Sequence, residues 1–167
     1  MISLALLLLR LVIGLTLAAH GAQKMFGWFG GPGLPGFQAM LERQRVRPAQ
    51  HWAWIGAIGE LVGGLLVALG LLNPVGPALA AGAMLTAIFL VHLPNGFFNT
   101  KGGFEFPFVI PAALVAIGLA GPGAYSLDAL IGFSLPQPAA TVIALVLALL
   151  GALAAAASRP ASRHELV

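Results

Sequence analysis

Not one of the 167 residues is cysteine. That excludes disulfide bonds, thiol nucleophiles, iron–sulfur ligation and cysteine-ligated zinc. Charge is almost as scarce: eight Lys and Arg and five Asp and Glu make up 8% of the chain. Catalytic signatures are missing too. No G-x-S-x-G, phosphate-binding glycine loop or dinucleotide fingerprint occurs. A chain without thiols or cofactor motifs has little means of moving electrons unless it borrows a cofactor. An enzyme acting alone is therefore the least expected reading.

Hydrocarbon fills the chain instead. Residues classed as hydrophobic make up 59%, and the mean hydropathy is +0.97. The rare charges interrupt five apolar stretches, near 2–22, 52–72, 75–94, 106–121 and 138–158. A bilayer core needs roughly 20 apolar residues per helix. The expected fold is all-α, a polytopic transmembrane helix bundle, with the chain in the cell membrane as a multi-pass protein.

The charges also orient it. With five spans, Lys24, Arg43, Arg45, Arg47, Lys101, Arg159 and Arg163 share one side, and only Arg10 lies within a span. The positive-inside rule makes that side cytoplasmic, with the N-terminus outside and the C-terminus inside. Four spans would put the basic tail opposite the other basic loops. The alternative for 138–158 is a surface helix or packing within a complex. The first stretch lacks a basic n-region and carries Arg10 where an h-region would be, so it reads as a retained helix rather than a signal peptide. The pI of about 10.2 follows from membrane orientation and anionic headgroups, not from nucleic-acid binding.

Along the chain, Phe26 to Gly36 is aromatic and Gly/Pro-rich, and is expected as an interfacial or shallow re-entrant loop. Phe37 to Val46 follows as a short amphipathic helix. Phe37, Met40 and Leu41 form its apolar face, and it is placed along the headgroups. Pro48 suits the start of the second span, and Trp28, Trp52 and Trp54 suit an aromatic belt. Small residues such as Gly59, Gly63 and Gly64 would let helices approach closely. A second Gly/Phe/Pro segment follows His92, so a loose repeat and chance similarity both remain open.

Arg10 and Glu60 stand out, because a lone intramembrane charge costs several kcal/mol. Their estimated depths match, which predicts a buried Arg10–Glu60 pair or shared network. It would serve either to hold helix register or as the floor of a ligand pocket or proton path. His20, Lys24, His51, His92, Asn95, Asn99 and Glu105 gather at the cytoplasmic helix ends and could converge on one vestibule; capping of helix ends and loops is the plainer reading. His20, His92 and Glu105 are competent metal ligands, but no H-x-x-x-H or H-x-x-E spacing supports a site, and no metal is expected. Bis-His haem is discounted because His20 and His92 lie near the surface.

Several blocks resemble DoxX-family membrane proteins: Leu9-Arg10-Leu11-Val12-Ile13-Gly14, His20-Gly21, Lys24-Met25-Phe26-Gly27, Gly59-Glu60-Leu61-Val62-Gly63-Gly64, the run from His92 to Pro107, and Tyr125-Ser126-Leu127-Asp128. The resemblance covers roughly residues 3–133. It implies a four-helix core over 1–133, with the interfacial segment at about 25–47. This chain would add a fifth transmembrane helix over 134–158 and a basic cytoplasmic tail over 159–167. The matching polar residues are Arg10, His20, Lys24, Glu60, His92, Asn95, Gly96 and Glu105.

The resemblance also implies an accessory or ligand-binding subunit of a quinone-linked oxidoreductase assembly in a bacterial inner membrane. No intrinsic cofactor is expected, and a quinone or lipid-like ligand is the candidate. His20, Lys24 and His92 would donate to it, and Phe26, Trp28, Phe97 and Phe98 would wall the pocket. Other membrane subunits, or copies of the chain itself, are the expected partners. Two alternatives are a purely structural subunit of a larger complex and a small transporter or channel. No polar stripe crosses the fourth or fifth helix, which counts against the last.

Overall fold

Glycine and proline stop the apolar runs, and the helices begin and end there. A computed structural model describes residues 1–160; Arg163 and His164, assigned to the tail, lie outside the described residues. Helix α1 spans Ile2–Phe26 and closes on Gly27, whose φ of 74° is left-handed and whose N–H bonds the Gln23 carbonyl. Helix α2 is Gly33–Arg43, α3 Ala49–Leu69, and α4 Val75–Ala87. Helix α5 covers Glu105–Ala120, α6 Leu127–Ile131 and α7 Ala139–Ala157. Pro48, Pro74 and Pro138 directly precede α3, α4 and α7, where a missing N–H costs nothing. No strand occurs among the described residues.

The result is a polytopic helical membrane protein. Four helical segments are long and apolar enough to cross a bilayer: Ile2–Phe26, Ala49–Leu69, Val75–Asn95 and Ala139–Ala157. Helix α5 is shorter, at 16 residues. Its last turn meets Pro74, Pro77 and Thr141, while its first turn closes the loop before it. It therefore runs antiparallel to α4.

Small residues set the register of α1 against α3. A Cβ on Gly14 would lie 2.6 Å from the Gly64 carbonyl oxygen, and one on Gly64 would lie 2.6 Å from the Gly14 carbonyl oxygen. Gly21 meets Leu61 in the same antiparallel register. Gly63 against Ala80 and Gly76 against Leu66 continue the packing to α4. Close backbone approach is how membrane helices gain van der Waals contact when lipid is as apolar as their side chains. Leu17, Val67, Ala81, Met84, Leu114 and Ile117 form the central core.

Helix α4 loosens into a π turn at Ile88–His92 and a 3₁₀ turn at Leu93–Asn95. Pro94 has no N–H to offer the Leu90 carbonyl four residues back. That carbonyl accepts instead from the Arg159 guanidinium, which also reaches Gln44 at 3.3 Å. Burial lowers the Arg159 pKa from its ordinary value. The Arg47 N–H bonds the Ser158 carbonyl at 3.3 Å. At the other end of α7, Thr141 donates to the Gly118 carbonyl at 3.0 Å. Helix α7 thus runs the length of the bundle, parallel to α4, and rests on it where Gly82 faces Ala148.

Two expectations need correction. Helix α1 runs on through His20 to Phe26. Helix α2 starts at Gly33, earlier than the expected Phe37, because Pro35 sits in its first turn, where proline is tolerated. Nor does α2 present its apolar face to headgroups: Phe37 and Leu41 are buried against Ala53, Ala57 and Leu90 within the protein.

Candidate functional site

The expected Arg10–Glu60 pair does not form. Both side chains are 1% exposed, so each is buried as its cost in lipid demands. The α1–α3 register separates them. Gly14 faces Ala68 and Gly21 faces Leu61, so Arg10 falls opposite Leu72. Leu72 is twelve residues beyond Glu60, about 18 Å along the axis at ~1.5 Å per residue.

Each charge has its own partner. Glu60 accepts from Lys24, which comes down from the last turn of α1. The Lys24 ammonium also lies 4.8 Å from the centroid of the Phe37 ring, a cation–π distance. The second Glu60 oxygen, Oε2, is buried without a hydrogen-bond partner. At the opposite end, the Arg10 guanidinium donates to the Tyr125 carbonyl, with Asp128 as the opposing charge. Its Nε and Nη1 have no partner. It lies against Gly70, where any Cβ would overlap the guanidinium.

Asp128 organises that second end. Its carboxylate accepts from the Leu72 and Asn73 N–H groups, both at 2.8 Å. Its own N–H bonds the Gly70 carbonyl at 3.0 Å. Ser126 caps α6 by accepting from the Ala129 N–H at 3.1 Å, an N-cap bond. A shallow cavity of ≈460 Å³ opens beside it, lined by Leu7, Ala68, Tyr125 and Leu130 among others.

The remaining candidates do not meet at one vestibule. His20 is exposed, and its Nδ1 donates to the Gln23 side chain at 3.1 Å. His51 is exposed. His92 donates from Nδ1 to the Gly102 carbonyl at 2.9 Å, and Asn95 donates to the same carbonyl at 3.2 Å. The Asn99 N–H bonds Glu105 at 3.0 Å. These four residues close the 93–105 loop on itself, so their polar groups satisfy local backbone. Among the described residues, no group of three or more His, Asp or Glu is placed to hold a metal.

The aromatic wall is also not formed. Phe26, Trp28, Phe97 and Phe98 are all at least 46% exposed. They make two separate clusters, Phe26 with Trp28 at 5.0 Å and Phe97 with Phe98 at 5.4 Å. Outward-facing aromatics at helix ends suit the headgroup layer, and neither cavity described here touches them.

A second concave feature lies elsewhere. Helices α3 and α7 flank α4 and leave a groove of ≈390 Å³ between them. Gly56, Gly59, Gly82, Ala83 and Gly151 keep it open, Ile55, Leu79 and Leu147 wall it, and Trp52 and Thr86 lie toward one end. From Val75 to Thr86 it follows α4 for about 16 Å at ~1.5 Å per residue. The sequence reading missed it. The only signal was the spacing of small residues at Ala144, Ala148 and Ala152, four apart on one face of α7.

Fold and buried charges together define a multi-pass helical membrane protein with two separate polar centres. The chain belongs to the DoxX family, whose family model matches residues 5–93. It is also similar to a Bacillus subtilis (strain 168) protein named "Putative oxidoreductase CatD", at 32% identity over 128 residues, covering 73% of this chain and 83% of that protein. No solved structure matches it.

Proposed function

We propose that this chain is an accessory, ligand-binding membrane subunit of a quinone-linked redox assembly. The apolar tail of a quinone or similar lipid-like molecule would lie in the groove between α3, α4 and α7. The groove itself carries this reading. It is apolar along about 16 Å of helix, by the ~1.5 Å rise per residue, and has Trp52 and Thr86 at one end only. That polarity matches an amphiphile with one hydrogen-bonding head and a long tail, and the volume falls in the range of small-molecule sites. The oxidoreductase name of the Bacillus subtilis relative supports the redox setting. Arg47 and Arg159 lie at the same end of the bundle, where the Arg47 N–H bonds the Ser158 carbonyl, which supports a cytoplasmic placement for that end, with the N-terminus outside.

Gly151 provides the test. It lines the groove, and a Cβ there would meet nothing within 4 Å. Gly151→Leu should fill the groove without disturbing α7. In lipid nanodiscs, a long-tailed isoprenoid quinone should bind the native chain saturably, read by tryptophan quenching, and Gly151→Leu should abolish saturation. Equal binding by both proteins would refute the groove as the site.

A further inference from the structure

The groove leaves the Lys24–Glu60 pair unused, and that pair has features a register-holding salt bridge does not need. Glu60 is 1% exposed, while the Lys24 side chain is 22% exposed. The pair therefore reaches from the surface of the loop end into the packed interior. Oε1 of Glu60 accepts from the ammonium, and Oε2 is buried without a partner. A carboxylate held only for structure gains by having both oxygens satisfied.

Among the described residues, no other charge faces Glu60. Helix α1 supplies Lys24, and its His20 is exposed and bonded to Gln23. Helix α2 supplies the Phe37 ring, while its Glu42 and Arg43 are exposed. Helix α4 carries no titratable residue between Val75 and Ala87. On α3 itself, His51 is exposed. Lys24 is the charged group in contact with the Glu60 carboxylate. The ring face 4.8 Å from Lys24 gives that cation a second partner that persists when Glu60 is neutral.

We propose that Lys24 and Glu60 form a proton-uptake site, loaded from the loop end of the bundle and storing one proton on the buried Glu60 carboxyl group. The step is a simple transfer. An N–H bond of the Lys24 ammonium breaks, its proton forms an O–H bond on Glu60, and the resulting amine takes a proton from solvent through its exposed side. The net change is one proton gained, with Lys24 again cationic over Phe37 and Glu60 neutral. This site stands on its own geometry, and failure of the quinone reading would leave it intact.

The test is infrared difference spectroscopy of the whole chain in nanodiscs, cycled between high and low pH, with carboxyl-labelled glutamate. Lowering the pH should raise a carboxylic acid band that moves with the glutamate label and shifts in heavy water, because the proton comes from solvent. Glu60→Gln should lose that band. Lys24→Met, which removes both the relay and the opposing charge, should change how that band depends on pH. Lys24→Arg should slow its rise after a pH jump, since a guanidinium does not release its proton. A native protein whose glutamic acid band does not change with pH overturns the proposal even if Glu60→Gln does not fold. So does a Lys24→Met protein that titrates like the native one. An unchanged rate in Lys24→Arg overturns the relay through Lys24.

Discussion

Replacing Asp128 with alanine removes the acceptor of two backbone N–H groups and the charge opposite Arg10. Asn73 is 6% exposed, so its N–H has no access to water once Asp128 is gone. A hydrogen bond to a charged group contributes about 1.5–3 kcal/mol. Leu72 is 38% exposed, and water can take over part of its bond, which leaves about 0.5–1.5 kcal/mol there. Leu72 also has a φ of 55°, a left-handed conformation that costs a non-glycine residue roughly 1–2 kcal/mol. Its bond to Asp128 helps hold that turn. The two bonds together predict a loss of about 2–4.5 kcal/mol for Asp128→Ala. Asp128→Asn keeps one acceptor oxygen, so it should lose roughly half as much. Titration of the folded protein in mixed micelles with a denaturing detergent, followed by helical circular dichroism, reads both. A loss below about 1 kcal/mol for Asp128→Ala would refute this account of the α3–α4 turn.

Three further outcomes are expected. Gly64→Val places a side chain 2.6 Å from the Gly14 carbonyl oxygen; it should destabilise the α1–α3 pair by at least about 1–3 kcal/mol in the same titration. Arg159→Ala deprives the Leu90 carbonyl of its donor; a loss of about 1 kcal/mol should appear with faster amide exchange in the last turns of α7, and unchanged exchange there would count against the tether. Because the chain has no cysteine, single substitutions report sidedness directly. Arg45→Cys and Lys101→Cys should be labelled by an impermeant reagent from the cytoplasmic side and Ala124→Cys from the other; labelling of all three from one side would break the proposed orientation.

The positions of α3, α4, α5 and α7 were legible in the sequence because long apolar runs broken by Gly and Pro have few other solutions in a bilayer. Arg10 and Glu60 were legible as buried groups for the same reason. Their partners were not. Depth estimated from the middle of a span carries an error of several residues, and each residue is worth about 1.5 Å of rise. Gly14 facing Gly64 slides α1 past the register that would have joined Arg10 to Glu60. Lys24 looked like one of several loop cations, yet it turns inward to Glu60. Asp128 looked like part of an end motif, yet it ties the α3–α4 turn. His92, Asn95, Asn99 and Glu105 were grouped by side of the membrane, which does not distinguish a shared pocket from a loop closing on itself.

Composition alone established that hydrocarbon is this chain's solvent and that its few ionic groups must find company inside the protein. Hydropathy is a sum over residues, so no contact is needed to read it. Which ionic group meets which, and where a groove remains, depended on how closely the helix backbones approach one another. Those approaches are made by glycine and alanine, whose small side chains add little to any sequence pattern and a great deal to the distance between helices.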